Sequence, residues 1–272
     1  MTNNSRYIDN RIETPQEFAS VFSHFYFAEN KSIHAIHKTL FPSFHTLLIF
    51  SFHTGVLLRT KQNHQIALEK CLLLGPIKQA FDYSLPPNSD LFVVNFKDDA
   101  FYRFFGAINI DKNTQLPTGK PIFNQCFIDM WHKLKQMNDV NARIDFILDY
   151  CRPFLDKRSL IADQLLSVKD ELKEPIKTVA HLRKVSERTV QAQHKKQFAY
   201  TAKENNRYQR FLKAIKIIQN ISFNNCAIDW FDVISDCGYY DQSHLIHDFK
   251  YYLCLTPSQY LQFHQDICNP LG

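Results

Sequence analysis

The chain has 272 residues, of which 45% are hydrophobic and 22% are charged, and its formal net charge is +5. This is the composition of a globular protein, so disorder of the whole chain is excluded. Only 6 glycines occur. None are spaced as in the glycine-rich loops that hold dinucleotides or ATP phosphates, so those enzyme classes are excluded. The mild positive charge is compatible with an anionic partner without requiring one.

The cysteines and the apolar stretches indicate in which cellular compartment the protein is expected. The 7 cysteines are odd in number and form no Cys-x-x-Cys pair, which favours reduced thiols in a cytoplasmic protein. Residues 1–5 are polar and lack the pattern of a signal peptide. The longest apolar stretch, residues 47–58, is interrupted by polar residues and is too short to cross a bilayer. We therefore expect a cytoplasmic protein with no membrane partner.

Short β-like runs come first along the chain. Residues 44–52 are apolar and aromatic, Gly55 allows a turn, and residues 56–60 follow, a pattern that predicts a β-hairpin. Further runs at 71–74 and 91–96 have turn-forming residues beside them. Short strands at this spacing indicate a small barrel or sandwich, which we expect over residues 1–110.

The pattern changes to helical spacing after residue 121. Apolar residues recur every three or four positions over 122–137 and again over 141–155, which predicts two helices. We expect these helices to form a connector over residues 111–158.

From residue 160 onward the sequence is typical of helices. Ser186, Asp229 and Asp241 are preferred N-cap residues, and Gly238 is well suited to end a helix. The predicted helices cover 176–184, 186–197, 202–219, 229–237, 241–253 and 257–264. The predicted fold class is therefore α+β: a β-rich N-terminal domain, a helical connector and an all-α module over 160–264.

Two segments of this module follow the same plan. Residues 176–197 and 229–253 each predict a short helix, a tight turn and a capped second helix, which is the form of a helix-turn-helix unit. The second helix of such a unit fits the major groove of DNA. An 18-residue linking helix spans about 27 Å, which allows the two reading helices to lie about one turn of B-DNA apart, ~34 Å.

Residues 238–250, followed by Thr256-Pro257 and Tyr260, resemble the second motif of the AraC/XylS family of bacterial transcription regulators. In that family a Gly-aromatic pair, a capping Asp or Ser, a Ser and a Phe-Lys pair stand at the same spacing. Residues 185–191 fit the first motif more loosely. The resemblance implies a sequence-specific DNA-binding transcription factor that binds double-stranded DNA through residues 160–264 and has no catalytic step. By architecture alone, residues 1–110 are similar to the cupin-like sensor domain of that family, which binds small-molecule effectors or only forms homodimers.

The sequence departs from the family at several positions. Ala192 and His247 stand where Arg is usual, His194 where Phe is usual, and Cys254 where Gly is usual. The turn after the first reading helix, which has the form Gly-x-x-Pro in the family, begins here at Ala199. These departures predict a weaker or differently specific reader.

Position on the two reading helices selects the candidate DNA-binding residues. Arginine suits the O6/N7 edge of guanine and glutamine suits the N6/N7 edge of adenine. Candidates for phosphate contact are Lys196 and Lys250, together with Arg207 and Arg210 of the linking helix. The predicted DNA-binding residues are Arg188, Gln191, Lys195, Lys196, Gln242, Ser243, His244, His247 and Lys250.

Two alternatives remain open at this stage. A cupin-like metal-dependent enzyme fused to a helical module would need histidine ligands. His45 and His53 are eight apart and would share a face of an unbroken strand, yet no Glu lies near them, so we predict no metal and no cofactor. A regulator that acts through protein partners is the second alternative, and Ala192, His194 and His247 motivate it.

Overall fold

The computed structural model describes residues 7–60, 64–105, 125–155, 158–167, 175–223, 228–263 and 267–268. In this part of the chain a β-rich region precedes a helical region, which confirms the predicted fold class. The strands are β1 (Tyr7–Glu13), β2 (Phe22–Asn30), β3 (Ile36–Leu40), β4 (Thr46–His53), β5 (Val56–Thr60), β6 (Gln65–Leu68), β7 (Cys71–Leu74), β8 (Phe81–Leu85), β9 (Ser89–Phe96) and β10 (Ile267–Cys268).

The strands form two five-stranded sheets. The first has the order β1-β2-β9-β4-β7 and the second the order β10-β3-β8-β5-β6. All described pairs are antiparallel except β10 with β3. Apolar side chains of both sheets, among them Leu47 and Ile49 of the first and Leu58 and Phe81 of the second, share one buried core. The prediction of a small barrel or sandwich is thereby confirmed.

The predicted hairpin between residues 44–52 and 56–60 is wrong. Strand β4 pairs with β7 and β9, whereas β5 pairs with β6 and β8 in the other sheet. The chain crosses between the sheets at Gly55, where an added Cβ would lie 3.0 Å from the carbonyl oxygen of Leu68. The glycine thus suits a close approach to a neighbouring strand rather than a tight turn.

The first three helices are α1 (Ala100–Phe105), α2 (Gln125–Lys135) and α3 (Val140–Cys151). They pack on the outer face of the first sheet, where Leu48, Phe50 and Phe52 of β4 join the same apolar cluster as Trp131 and Ile147. Strand β4 is therefore buried on both faces, which explains its unbroken apolar sequence. The two predicted connector helices contribute to the core of the β-rich region.

The helical region consists of seven helices in the described part of the chain. The longest, α7, has 22 residues, four more than predicted. Together their apolar faces form one core that includes Val190, Phe211, Ile215 and Phe249. The helices are α4 (Leu160–Ser167), α5 (Pro175–Arg183), α6 (Glu187–Phe198), α7 (Ala202–Phe223), α8 (Trp230–Cys237), α9 (Gln242–Leu253) and α10 (Pro257–Phe263).

Several predicted limits lie outside the described residues. These are the boundary at 110/111, the first residues of the helix predicted from 122, and residue 264, so the domain limits stay predictions. Among the residues described, no helix combines the length and the apolar character needed to cross a membrane.

Candidate nucleic-acid interface

The first helix-turn-helix unit consists of α5 and α6. The Ser186 hydroxyl accepts a hydrogen bond from the Thr189 N–H at 3.2 Å and so caps α6 as predicted. Val190 and Phe198 hold the helix against the core. The opposite face is exposed and carries four of the predicted DNA-binding residues, Arg188, Gln191, Lys195 and Lys196.

Lys196 differs from the other three because it also meets the β-rich region. Its ammonium lies 5.9 Å from the centre of the Tyr102 ring in α1. A cation at this distance from an aromatic face is weakly attracted to it. Lys196 therefore lies where the first reading helix and the β-rich region come together.

The second unit consists of α8 and α9. The Asp229 carboxylate caps α8, Gly238 ends it with a φ of 72°, and Asp241 caps α9 by accepting from the His244 N–H at 2.7 Å. Leu245 and Phe249 are fully buried. Four of the predicted DNA-binding residues lie on the exposed face: Gln242, Ser243, His247 and Lys250.

A buried carboxylate anchors α9 to the linking helix. Asp248 is 0% exposed, and its Oδ1 accepts from the Arg207 Nε at 2.6 Å while its Oδ2 lies 3.5 Å from an Arg210 Nη2. The Arg207 guanidinium also lies over the Tyr251 ring at 4.2 Å, and that of Arg210 over Tyr239 at 4.8 Å. Arg207 and Arg210, predicted as candidates for phosphate contact, are both held by Asp248 in the folded protein.

The two histidines of α9 have different surroundings. His244 is half-buried, its Nε2 accepts from the Arg210 Nη2 at 2.9 Å, and its ring meets the edge of Tyr239. His247 has a side chain that is 71% exposed, and its Nδ1 lies 3.1 Å from the Arg207 Nη2. His244 thus faces the linking helix, whereas His247 stands on the open face.

Asp248 is absent from the predicted functional residues, although the sequence contains a signal for it. Its neighbours on the same helical stripe, Leu245 and Phe249, are apolar, and an acidic side chain between them needs a buried cation. Arg207 and Arg210, three apart on α7, supply that charge from one face of the helix.

Two departures from the AraC/XylS pattern fall where the backbone is left-handed. Ala199 ends α6 with a φ of 59°, and Cys254 ends α9 with the same φ. Glycine adopts this conformation without the steric cost that a Cβ brings. His194, a third departure, is buried, stacks on Phe198 and hydrogen-bonds the Tyr200 carbonyl through its Nδ1 at 2.8 Å.

The β-rich region contacts the linking helix directly. The Phe44 ring stacks on Tyr208 with centroids 4.2 Å apart, and Phe41 stacks on Phe211 at 6.0 Å. The Tyr208 hydroxyl donates to the Pro42 carbonyl. Residues 41–44 belong to the connection between β3 and β4. This 41–44 connection is therefore part of the core that α7 shares with both helix-turn-helix units.

The same connection forms one wall of a cavity of about 240 Å³ between the two sheets. Most of its lining is apolar, and the polar side chains that line it include those of Asp9, Arg11, His24, Tyr26 and Tyr83. Burial, followed by the charge of Arg11 and the proximity of His45, lowers the pKa of His24 to about 3, so the ring is neutral at pH 7. The cavity is a suitable site for a small, largely apolar molecule.

No group of three or more His, Cys, Asp or Glu side chains that could hold a metal ion occurs among the described residues. His45 precedes β4, and its Nδ1 lies 3.2 Å from the Ser23 hydroxyl, while His53 ends the strand with a φ of 60° and is exposed. Because His45 lies before the first residue of β4, the two histidines do not belong to one unbroken strand.

Comparison with known proteins gives weak likenesses only. No protein-family model and no curated protein matches the sequence. A structure of ToxT from Vibrio cholerae is 11% identical with a TM-score of 0.39, and the match covers 94% of this chain and 98% of that one. ToxT with a bound unsaturated fatty acid is 12% identical with a TM-score of 0.38, and that match covers 96% of this chain and 97% of the other. The iron(II) form of HppE, matched over 33% of this chain and 50% of its own at 11% identity, has a TM-score of 0.27. Scores of this size do not establish a shared fold, so the fold assignment rests on the strand order and helix packing above, and membership in the AraC/XylS family stays a prediction.

Proposed function

We propose that the protein is a transcription regulator that binds double-stranded DNA in a sequence-specific manner through its two helix-turn-helix units. One observation carries the proposal: both units end in a capped helix with a buried apolar stripe and an exposed polar face, and one helix joins them. An exposed helix of this kind fits the major groove, where its first turns meet the base edges.

Each exposed residue has a role that its chemistry suggests. Arg188 can donate to the O6/N7 edge of guanine, and Gln191 and Gln242 can pair with the N6/N7 edge of adenine. The Ser243 hydroxyl can bind a base edge or a phosphate oxygen, and Lys195 and Lys250 suit phosphate oxygens. Since phosphate contacts release counterions, affinity should fall as the salt concentration rises.

His244 takes a supporting role in this proposal, because its Nε2 is occupied by Arg210 and its ring is half-buried. Lys196, which lies near Tyr102, belongs to the same interface only at its edge. Most of the sequence specificity of α9 then comes from Gln242, Ser243 and His247.

A small-molecule effector is the second part of the proposal. The cavity between the sheets shares the 41–44 connection with the linking helix, since Phe41 lines the cavity and also stacks on Phe211. A ligand in the cavity would press on the residue that contacts α7. Through α7 the ligand would change the relative placement of the two reading helices.

Selection of binding sequences from random DNA duplexes by the purified full chain tests the DNA-binding proposal. We expect an enriched site with two parts about one helical turn, ~10 base pairs, apart. The Gln242→Ala change should relax the preference at one position by about 1–3 kcal/mol, whereas Lys250→Ala should weaken binding to all sequences alike. If no sequence is enriched even at low salt, the protein does not read DNA and action through protein partners takes its place.

A further inference from the structure

We propose that Arg207 fixes the tautomer of His247, so that this side chain presents only a hydrogen-bond donor to DNA and favours guanine over cytosine. This inference rests on the proposed function, because it assumes that α9 lies in the major groove. Residue 247 is a position where the AraC/XylS pattern has Arg, so the histidine would recognise a base differently from the arginine of that pattern.

The placement of His247 on α9 makes it a candidate for reading a base. Its side chain is 71% exposed to solvent. Ser243 precedes it by one helical turn and Lys250 follows it by one, so the three side chains lie along one stripe. The other face of the helix is buried through Leu245 and Phe249.

The contact with Arg207 determines which ring nitrogen carries the proton. The Arg207 Nη2 lies 3.1 Å from the Nδ1 of His247. A guanidinium group has donors only, so Nδ1 must be the acceptor, and in the neutral ring the proton is then on Nε2. The Nε2–H group is the polar atom left for a partner on the open face.

Arg207 is itself held in place, so this assignment does not depend on a freely moving side chain. Its Nε donates to the Asp248 Oδ1 at 2.6 Å, and its guanidinium lies 4.2 Å from the centre of the Tyr251 ring. The Asp248 Oδ1 is also 4.0 Å from the Nδ1 of His247. That separation exceeds a hydrogen bond, and Arg207 already occupies the oxygen.

A lone donor discriminates among base pairs in the major groove. Guanine presents two acceptors, N7 and O6, and thymine presents one, O4, beside its methyl group, whereas adenine presents one acceptor beside a donor and cytosine presents only the N4 donor. A histidine with the opposite tautomer would accept from cytosine or adenine instead. The fixed Nε2–H therefore favours guanine at the base pair that residue 247 faces, by about fivefold or more over cytosine.

The first test examines the tautomer without DNA. Two-bond hydrogen–nitrogen correlation spectra of the full chain at about pH 8 distinguish the two neutral forms, and loss of a signal in His247→Gln identifies the residue. We expect the Nε2–H form alone in the native protein and a mixture in Arg207→Gln. The exposed His53 of the β-rich region is the internal control and should not change between these variants. A mixture or the Nδ1–H form in the native protein would overturn the proposal.

The second test examines base preference with the duplex selection described above. We expect guanine to be enriched over cytosine at one position of the half-site read by α9, and a shift toward adenine in His247→Gln, because the Gln amide pairs with the adenine edge. If His247→Ala weakens all sequences equally, the donor contacts a phosphate and the proposal fails. If the native protein enriches no sequence at all, the DNA-binding function fails instead, while the spectra still report on the tautomer.

Discussion

The buried Asp248 allows a quantitative prediction about what holds the second reading helix in place. Asp248→Asn preserves the shape of the side chain and removes its charge, leaving two guanidinium groups without their anion. Removal of one partner from a buried ion pair costs about 3–5 kcal/mol. The side chains of Arg207 and Arg210 are 29% and 26% exposed and can partly hydrate, so we expect the lower end, about 3 kcal/mol.

The assay is thermal unfolding followed by the far-ultraviolet signal of the helices. For a chain of this size a loss of about 3 kcal/mol corresponds to a fall in Tm of roughly 6–12 °C. The matched control is Asp232→Asn, an exposed acidic residue of α8, which should change stability by less than about 0.5 kcal/mol. In the double variant with Arg207→Met the loss should be smaller than the sum of the two single losses. A loss below about 1 kcal/mol in Asp248→Asn would refute the role given to the ion pair.

Three further predictions concern other parts of the molecule. Cys254→Gly should raise stability by about 0.5–1 kcal/mol, because glycine removes the cost of a φ of 59°; a denaturant titration measures the gain, and Cys254→Ser, which keeps a Cβ, should give none. Phe41→Ala should cost about 3–5 kcal/mol, since the ring is 1% exposed and packs on Phe211; a cost below about 1 kcal/mol in the same titration would contradict the packing. For His24, burial first and the Arg11 charge second lower the pKa to about 3 in the folded state, against an ordinary value of 6.5. The unfolded chain therefore binds one more proton between these values, and stability should fall as the pH falls from about 6.5 to 3, by up to ~1.4 kcal/mol per pH unit. His24→Gln should flatten that slope in a pH series of unfolding curves, and an unchanged slope would show that His24 is not the group responsible.

Local chemistry made the helical module predictable. Ser186, Asp229 and Asp241 are N-caps in the structure as they are in the sequence pattern, because a side-chain oxygen beside free backbone N–H groups acts within one turn of chain. The apolar stripe of α9 likewise predicted its buried face, since helical periodicity needs no knowledge of the partner.

The errors and omissions concern contacts between distant parts of the chain. The pattern over residues 44–60 is equally consistent with a hairpin and with two strands that belong to different sheets, because β4 is buried on both faces and shows no alternation. Which strands pair is decided by long-range packing, which a short run of apolar residues does not encode.

By itself, then, the sequence determined the helices of the two helix-turn-helix units, their caps and the buried apolar stripe of α9, since each depends on residues within a few turns. Only the tertiary structure revealed that Arg207 and Arg210 belong to Asp248, that His244 faces inward while His247 faces outward, and that the 41–44 connection lies between a cavity and the linking helix. These relations join residues up to 170 positions apart, and the energy of a buried charge or a stacked ring depends on which groups the fold brings beside it.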